Sequence, residues 1–352
     1  MNKFKWYDAA SVEEAQKVVN STVSETIQPE ADPNASVFKA AGIDLLDLMK
    51  EGLSQPGKVV NIKNIPGFDE ISFSPEKGLI LGANVTLSQI SADGNIKTHY
   101  LALHQAASQA ATPQIRNMAT LGGNLAQRTR CWYFRSKDYF CFRKGSSTCF
   151  AHIGKNEFHA IMHYGYCVSV HSSSLATALL AFDAIVEIKG KEGKTKLVPI
   201  KDFFVLPTVD RTKETILGPG ELITSVILPK PVSNWKSNYI KMGSRKSQDW
   251  PIAEVAVVAE LSENVCNSAK IVLGAAAPVP IASTLAAEAI TGKTIDDITA
   301  AHAGKAAMEI AVPLSENAYK IPVFETIIKR AVLALAKPPG NTKNRGLQGT
   351  KD

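Results

Sequence analysis

Apolar positions over the first 230 residues come in short bursts, and their period keeps switching between that of a strand and that of a helix. Ser11 precedes a helical run and Glu14 follows three residues on, the spacing of a capping box. VFKAAG at 37–42 reads as a short strand ending on glycine, and IDLLDLMKEG then carries leucines at helical spacing and closes on Gly52. KVVNI at 58–62 is a strand and NIPG at 64–67 a turn. ISFSPEKGLILGANVTLSQI alternates around a turn, as a hairpin running into a helix start. HYLALHQAASQAA at 99–111 predicts a helix stopped before Pro113, and Gly122 and Gly123 mark a tight turn. SSSLATALLAFDAIVEIKG predicts a helix passing into a strand. This mixture has no regular βαβαβ repeat, which favours an α+β fold over a doubly wound nucleotide-binding sheet.

The pattern changes near residue 235. NYIKMGSRKSQDWPIAEVAVVAEL and CNSAKIVLGAAAPVP read as antiparallel strands, and helical runs follow at about 282–290, 296–308 and 321–336. The expected organisation is a two-part domain over 1–230, split into 1–55 and 56–230, with an insert at about 127–170. A smaller α+β domain over 235–336 follows, then a polar tail at 337–352 with almost nothing to bury.

Composition narrows the function classes. The chain has 352 residues, 45% of them hydrophobic, enough for more than one folded core. Its formal charge of +6 is spread without a basic block, which argues against nucleic-acid binding and leaves room for an acidic cofactor or partner. No run approaches the length of a membrane span, and the N-terminal stretch lacks the apolar region of a signal peptide. The expected location is cytoplasmic, with co-export beside a signal-bearing partner as the periplasmic alternative.

Four of the five cysteines, Cys131, Cys141, Cys149 and Cys167, fall in one stretch with the spacing C-x9-C-x7-C-x17-C. Neither ferredoxin nor zinc-knuckle spacing is matched, so the thiols alone leave open an iron–sulfur cluster, a zinc staple or plain buried cysteines. Aromatic residues crowd the stretch, and Cys266, in a strand pattern, reads as a core thiol. RNMATLGGNLAQ at 116–127 puts Gly122 and Gly123 between Thr120 and Asn124, where backbone amides and two polar side chains can meet a phosphate. FKAAGIDLLDLM offers a second such place, at the amides of Gly42 to Asp44. His159, His163 and His171 read as structural, and no catalytic triad is visible.

These pieces together resemble the FAD-binding medium subunits of molybdenum hydroxylases, the xanthine dehydrogenase and carbon monoxide dehydrogenase group, and within it the flavin subunit of bacterial aldehyde oxidoreductases. The likeness runs in order along nearly the whole chain. Ala40-Ala41-Gly42-Ile43-Asp44-Leu45 stands where the family has AGGT-[DN]-L. Ile115 to Leu125, IRNMATLGGNL, matches IRN-x-ATxGGNL. GELITSVILP at 220–229, YIKMGSRKSQDWPIA and GAAAPVP at 274–280 match three further segments. The resemblance implies a two-part FAD-binding domain of the PCMH type. FAD would lie at Ala41, Gly42, Ile43, Asp44, Leu45, Thr120, Gly122, Gly123, Asn124 and Gln127, with Ile223 and Lys241 beside the flavin. In the aldehyde oxidoreductase branch, the insert QRTRCWYFR followed by three more cysteines carries a [4Fe–4S] cluster. That implies Cys131, Cys141, Cys149 and Cys167 as metal ligands. Two departures stand out. Ala41 and Ile43 replace glycine and threonine, removing one hydrogen bond to the diphosphate. Ser172, Ser173 and Ser174 replace an H-P-x-D continuation after His171, removing one flavin contact.

The implied role is electron transfer within a larger enzyme. A large subunit with a molybdenum cofactor would oxidise the substrate, an aldehyde by resemblance. A small [2Fe–2S] subunit would relay electrons to FAD, and NAD, a quinone, ferredoxin or oxygen would accept them. The alternatives are a stand-alone FAD-dependent oxidoreductase and a non-enzymatic, zinc-stapled scaffold.

Overall fold

Residues 1–27, 31–162, 164–245 and 248–336 are described by the computed structural model, so the polar tail and His163 lie outside the described residues. The chain begins with β1 (Lys5–Asp8), α1 (Val12–Val18), β2 (Ser36–Lys39), α2 (Leu45–Lys50) and β3 (Lys58–Asn61). β3 is the centre of a parallel sheet in the order β1-β3-β2, and its Val59 and Val60 are fully buried, as a strand covered on both faces requires. Ser11 caps α1 by accepting the Glu14 amide. The predicted capping box is only half closed, because the Glu14 carboxylate accepts from the Ala10 amide and the Tyr7 hydroxyl instead of reaching back to Ser11.

The next unit holds β4 (Ile71–Ser74), β5 (Gly78–Gly82), α3 (Leu87–Ala92), α4 (Gly94–His99), α5 (Leu101–Gln109), α6 (Pro113–Met118), α7 (Leu121–Leu125), α8 (Trp132–Arg135), α9 (Ser174–Ala181), β6 (Ile185–Lys189), β7 (Thr195–Pro199) and β8 (Leu222–Leu228). Its strands form an antiparallel sheet in the order β4-β5-β8-β6-β7. The predicted helix at 99–111 is α5, and a further helix, α4, precedes it; the two meet at Tyr100, whose buried ring packs on Phe73 and Phe182. Pro113 starts a helix as well as stopping one: it is the first residue of α6, where its missing N–H costs nothing, and Thr112 caps it. The glycine pair likewise lies in the first turn of α7 rather than in a tight turn, capped by Thr120.

β9 (Trp235–Gly243), β10 (Pro251–Ser262), β11 (Val265–Gly274) and β12 (Ile281–Ala282) form an antiparallel sheet in the order β12-β11-β10-β9. One face of it packs on α10 (Thr284–Ile290), α11 (Asp297–Met308) and α12 (Lys320–Leu335). The other face packs on α9 and α5. Every residue of α9, SLATALLA, is buried, because it is sandwiched between two domains. The α+β architecture expected from the pattern is thus present, with one apolar core running from the five-stranded sheet through α9 to Tyr239, Ala256 and Val272.

Candidate functional site

A cleft opens where the first sheet, α7 and the β9–β10 end of the last sheet meet. It has a lobe of about 420 Å³ and a lobe of about 170 Å³, which share Val23, Phe38, Ala40, Gly123 and Ala126 in their walls. The larger lobe gathers the segment Ala41 to Leu45 on one side, Thr120, Asn124 and Gln127 on another, and Lys241 at the far end. Gly122 and Ile223 line the smaller lobe. All the residues singled out for FAD therefore border one continuous space, although they come from parts of the chain about two hundred positions apart.

The two glycine segments differ in what they offer. Gly42 sits at φ +81°, a conformation open to glycine, and turns the chain from β2 into α2. The amides of Gly42, Ile43, Asp44 and Leu45 have no acceptor among the described residues. Backbone donors without partners beside a cavity suit an anion, and the peptide N–H of Ile43 is unaffected by its apolar side chain. On the opposite wall the donors are engaged. Gly122 donates to the Ala83 carbonyl (2.8 Å), Gly123 to the Thr120 hydroxyl (3.3 Å) and Asn124 to the Thr120 carbonyl (2.8 Å). Gly122 is glycine because a Cβ there would lie 3.1 Å from that of Ala83. A Cβ on Gly123 would meet only Thr120 Oγ1, at 2.9 Å, so a longer side chain would grow into the cleft.

Charge around the cleft is held by a compact network. The Asp44 carboxylate receives the Arg128 amide (2.8 Å), Arg130 (2.9 Å) and Arg135 (2.6 Å), and Asp47 receives Arg130 and Arg135 at 3.3 and 3.2 Å. Asp44 is thereby neutralised beside the free amides, and Arg130 also stacks on Trp250, which lines the larger lobe. Deeper in, Arg128 pairs with buried Glu214 and donates to the Thr212 carbonyl, while Arg143 donates to the Lys213 carbonyl. Lys241 donates to the Gln109 carbonyl (2.9 Å), and burial holds its pKa below that of a free lysine.

The serine triplet after His171 is fully used. Ser172 accepts the Arg130 amide, and Ser173 caps α9 while donating to Asn124. Ser174 donates to buried Glu254. Sequence reasoning missed Arg130, Trp250 and the segment 21–24, which line the cleft, and Glu254, which stands behind Ser174. Only Trp250, inside the matched segment YIKMGSRKSQDWPIA, carried any signal, since the others meet the site through long-range packing.

The cysteine stretch does not bear out its expected metal. Among the described residues no group of three or more His, Cys, Asp or Glu side chains is arranged to hold a metal ion, which corrects both the [4Fe–4S] cluster on Cys131, Cys141, Cys149 and Cys167 and the zinc staple. The thiols instead serve as apolar packing. Cys141 and Cys149 sit in a small core with Leu48, Leu53, Tyr133, Phe134 and Val168, which joins the segment to α2. Burial pushes the Cys131 thiol up to about 12 and raises that of Cys141. Cys149 hydrogen-bonds Cys167, which raises its own thiol and lowers that of Cys167 to about 5, with Arg143 assisting. Cys131 Sγ lies 3.2 Å from His159 Nε2. Burial holds His159 near 4 and His171 near 3.

Known proteins place this architecture. Residues 2–231 match the family described as FAD binding domain in molybdopterin dehydrogenase, and residues 238–335 match the CO dehydrogenase flavoprotein C-terminal domain. The chain is 34% identical over 264 residues to the aldehyde oxidoreductase FAD-binding subunit PaoB of Escherichia coli K12, covering 74% of this chain and 81% of that protein. It is 24% identical over 320 residues to the xanthine dehydrogenase FAD-binding subunit of Escherichia coli O157:H7, covering 87% and 94%. The solved structure of quinoline 2-oxidoreductase from Pseudomonas putida 86 superposes with a TM-score of 0.71 at 23% identity, over 95% of this chain and 97% of that one, a likeness of fold.

Proposed function

Since the chain belongs to the FAD-binding medium subunits of the molybdenum hydroxylase family, we propose that its two-lobed cleft holds FAD with the diphosphate against Gly42 to Leu45. The observation that carries this reading is the row of amides at 42–45, unpartnered among the described residues, across a cleft whose other wall holds Gly123. Phosphate oxygens would satisfy those amides, and the engaged wall at Gly122 to Asn124 would act by shape, with the Thr120 hydroxyl serving to cap α7. Lys39, Arg130 and Lys241 line the larger lobe, balanced there by Asp44, Asp47 and Asp249, so the backbone amides at 42–45 are what would meet the diphosphate. Gln127, turned onto the Asn124 carbonyl, closes the floor, and Ile223 gives the smaller lobe an apolar end. The Ala41 and Ile43 departures remove a side-chain donor but leave the backbone cradle intact. Bound FAD supplies the exchange between electron pairs and single electrons, while the protein binds, orients and shields it.

In the complete enzyme this subunit would take electrons from a [2Fe–2S] centre on a small partner and deliver them to NAD, a quinone, ferredoxin or oxygen. A molybdenum-bearing large partner would oxidise the substrate. Likeness to PaoB supports an aldehyde as that substrate. Among the described residues no helix is long and apolar enough to cross a membrane. The purified chain should carry one FAD and exchange electrons with artificial carriers, yet fail to oxidise aldehydes. Aldehyde oxidation by the isolated, molybdenum-free chain would replace this reading with a stand-alone flavoenzyme.

A further inference from the structure

Glu254 is a carboxylic acid buried at the seam of the two domains. It is 1% exposed, and no lysine or arginine forms an ion pair with it among the described residues. Three hydroxyls converge on it. Ser174 and Tyr239 (2.7 Å) donate to Oε1, and Thr177 donates to Oε2 at 3.4 Å. Room for the group is made by Gly274, its partner on β11, where any side chain would collide with both Glu254 Oε2 and Thr177 Oγ1. A buried, unpaired carboxyl is costly to retain for stability alone. One of its three partners opens outward: Ser174 lines the larger lobe of the cleft. Lys241, opposite Glu254 in the β9–β10 register, lines the same lobe.

We infer that Glu254 is a redox-linked proton site, which takes up a proton through the Ser174 hydroxyl when flavin in the adjoining lobe gains electrons. This inference rests on the FAD reading above. The balance is simple. An electron pair enters from a reductant, a reduced iron–sulfur centre of a partner or dithionite in the test. A proton from solvent reaches Ser174 Oγ at the cleft wall as the Ser174 proton passes to Oε1, so the carboxylate becomes neutral. Added negative charge nearby raises the proton affinity of the carboxyl, and by reciprocity a protonated carboxyl favours the reduced flavin. The charged or titratable groups facing Glu254 are Tyr239 and Lys241 on β9. α9 contributes only the Ser174 and Thr177 hydroxyls, and β11 only Gly274. Arg116 and Asp249 bear on Lys241 instead. Burial holds the Glu254 carboxyl above the ordinary carboxylate range, so its window of proton uptake lies on the alkaline side of that range.

The test uses the full chain loaded with FAD, as wild type, Glu254→Gln and Ser174→Ala. The midpoint potential of the flavin is followed against pH by dye-equilibrated dithionite titration. Wild type should take up one more proton per electron pair than Glu254→Gln inside the window and run parallel to it outside, with Ser174→Ala in between. A merely structural Glu254 would leave the two curves parallel throughout, and that result overturns the inference. The wild type carries an independent readout. Its redox-difference infrared spectrum in H₂O and D₂O should show a protonated carboxyl C=O band gained on reduction. Absence of that band overturns the inference even if Glu254→Gln does not fold. Wild type that binds no FAD ends the cofactor reading and this inference together, whereas stoichiometric FAD with parallel curves ends only this one.

Discussion

Gly42 and Gly122 show how one residue type serves two different physical needs. Gly42 holds a left-handed backbone at the mouth of the cleft, and an added Cβ there would meet side-chain atoms of Lys39 at 2.8 Å and Leu46 at 3.0 Å. Gly42→Ala should therefore cost about 1 kcal/mol of unfolding free energy through backbone strain. Urea unfolding measures this, and an unchanged midpoint would show that the loop adapts freely. Gly122 needs no special backbone angle, but it packs on Ala83. The sequence reading took both Gly122 and Gly123 as places for close approach by phosphate. It identified residues that line the cleft but did not register that the Gly122 to Asn124 amides are satisfied internally: the Ala83 acceptor depends on how α7 docks, and the Thr120 acceptors on the segment starting a helix rather than a turn. Glu254 was silent because two of its partners, Ser174 and Thr177, lie on another domain and the third, Tyr239, on the neighbouring strand, and nothing in PIAEVAVV distinguishes a buried acid from an exposed one.

Most strands and helices were legible, since each carries its own period and punctuation, but β1, β7 and β8 were not read as strands. The stretch 127–170 was not, because its order comes from neighbours. α8 is only four residues long, and its Arg135, with Arg130, is pinned to Asp44 and Asp47 at the start of α2 in another subdomain. The cysteine spacing invited a metal, whereas the structure uses two of those thiols in a core with aromatic and aliphatic side chains. The network makes a clear prediction. Asp44→Ala strips an acceptor from two partly buried arginines and from the Arg128 amide. It should destabilise the chain by about 2 kcal/mol and open residues 128–135 to protease before the rest unfolds. Equal cleavage rates in variant and wild type would show that the segment is held by its apolar core alone.

Across the whole molecule, Lys320 ties the last helix to the insert. Its Nζ is fully buried and donates to the carbonyls of His159 (2.9 Å) and Ala275 (2.7 Å), and Asn317 donates beside it to His159 and Ala160. Burial lowers its pKa to about 7, below the unfolded lysine value of about 10.4. The unfolded chain then binds more protons between these values, so this group's contribution to stability rises with pH across that window and is lost as pH falls through it. The melting temperature of wild type should gain on that of Lys320→Met from about pH 7 to about pH 10. A constant difference would mean that Lys320 stays charged. The central claim is the position of FAD, and it is tested most directly by titrating flavin-free protein with FAD and following the quenching of flavin fluorescence. Wild type should bind one FAD per chain. Gly123→Val, with an unchanged circular dichroism spectrum, should bind at least about a hundredfold more weakly, because its side chain would occupy the wall between the lobes. Equal affinity in the two proteins would place the cofactor outside this cleft.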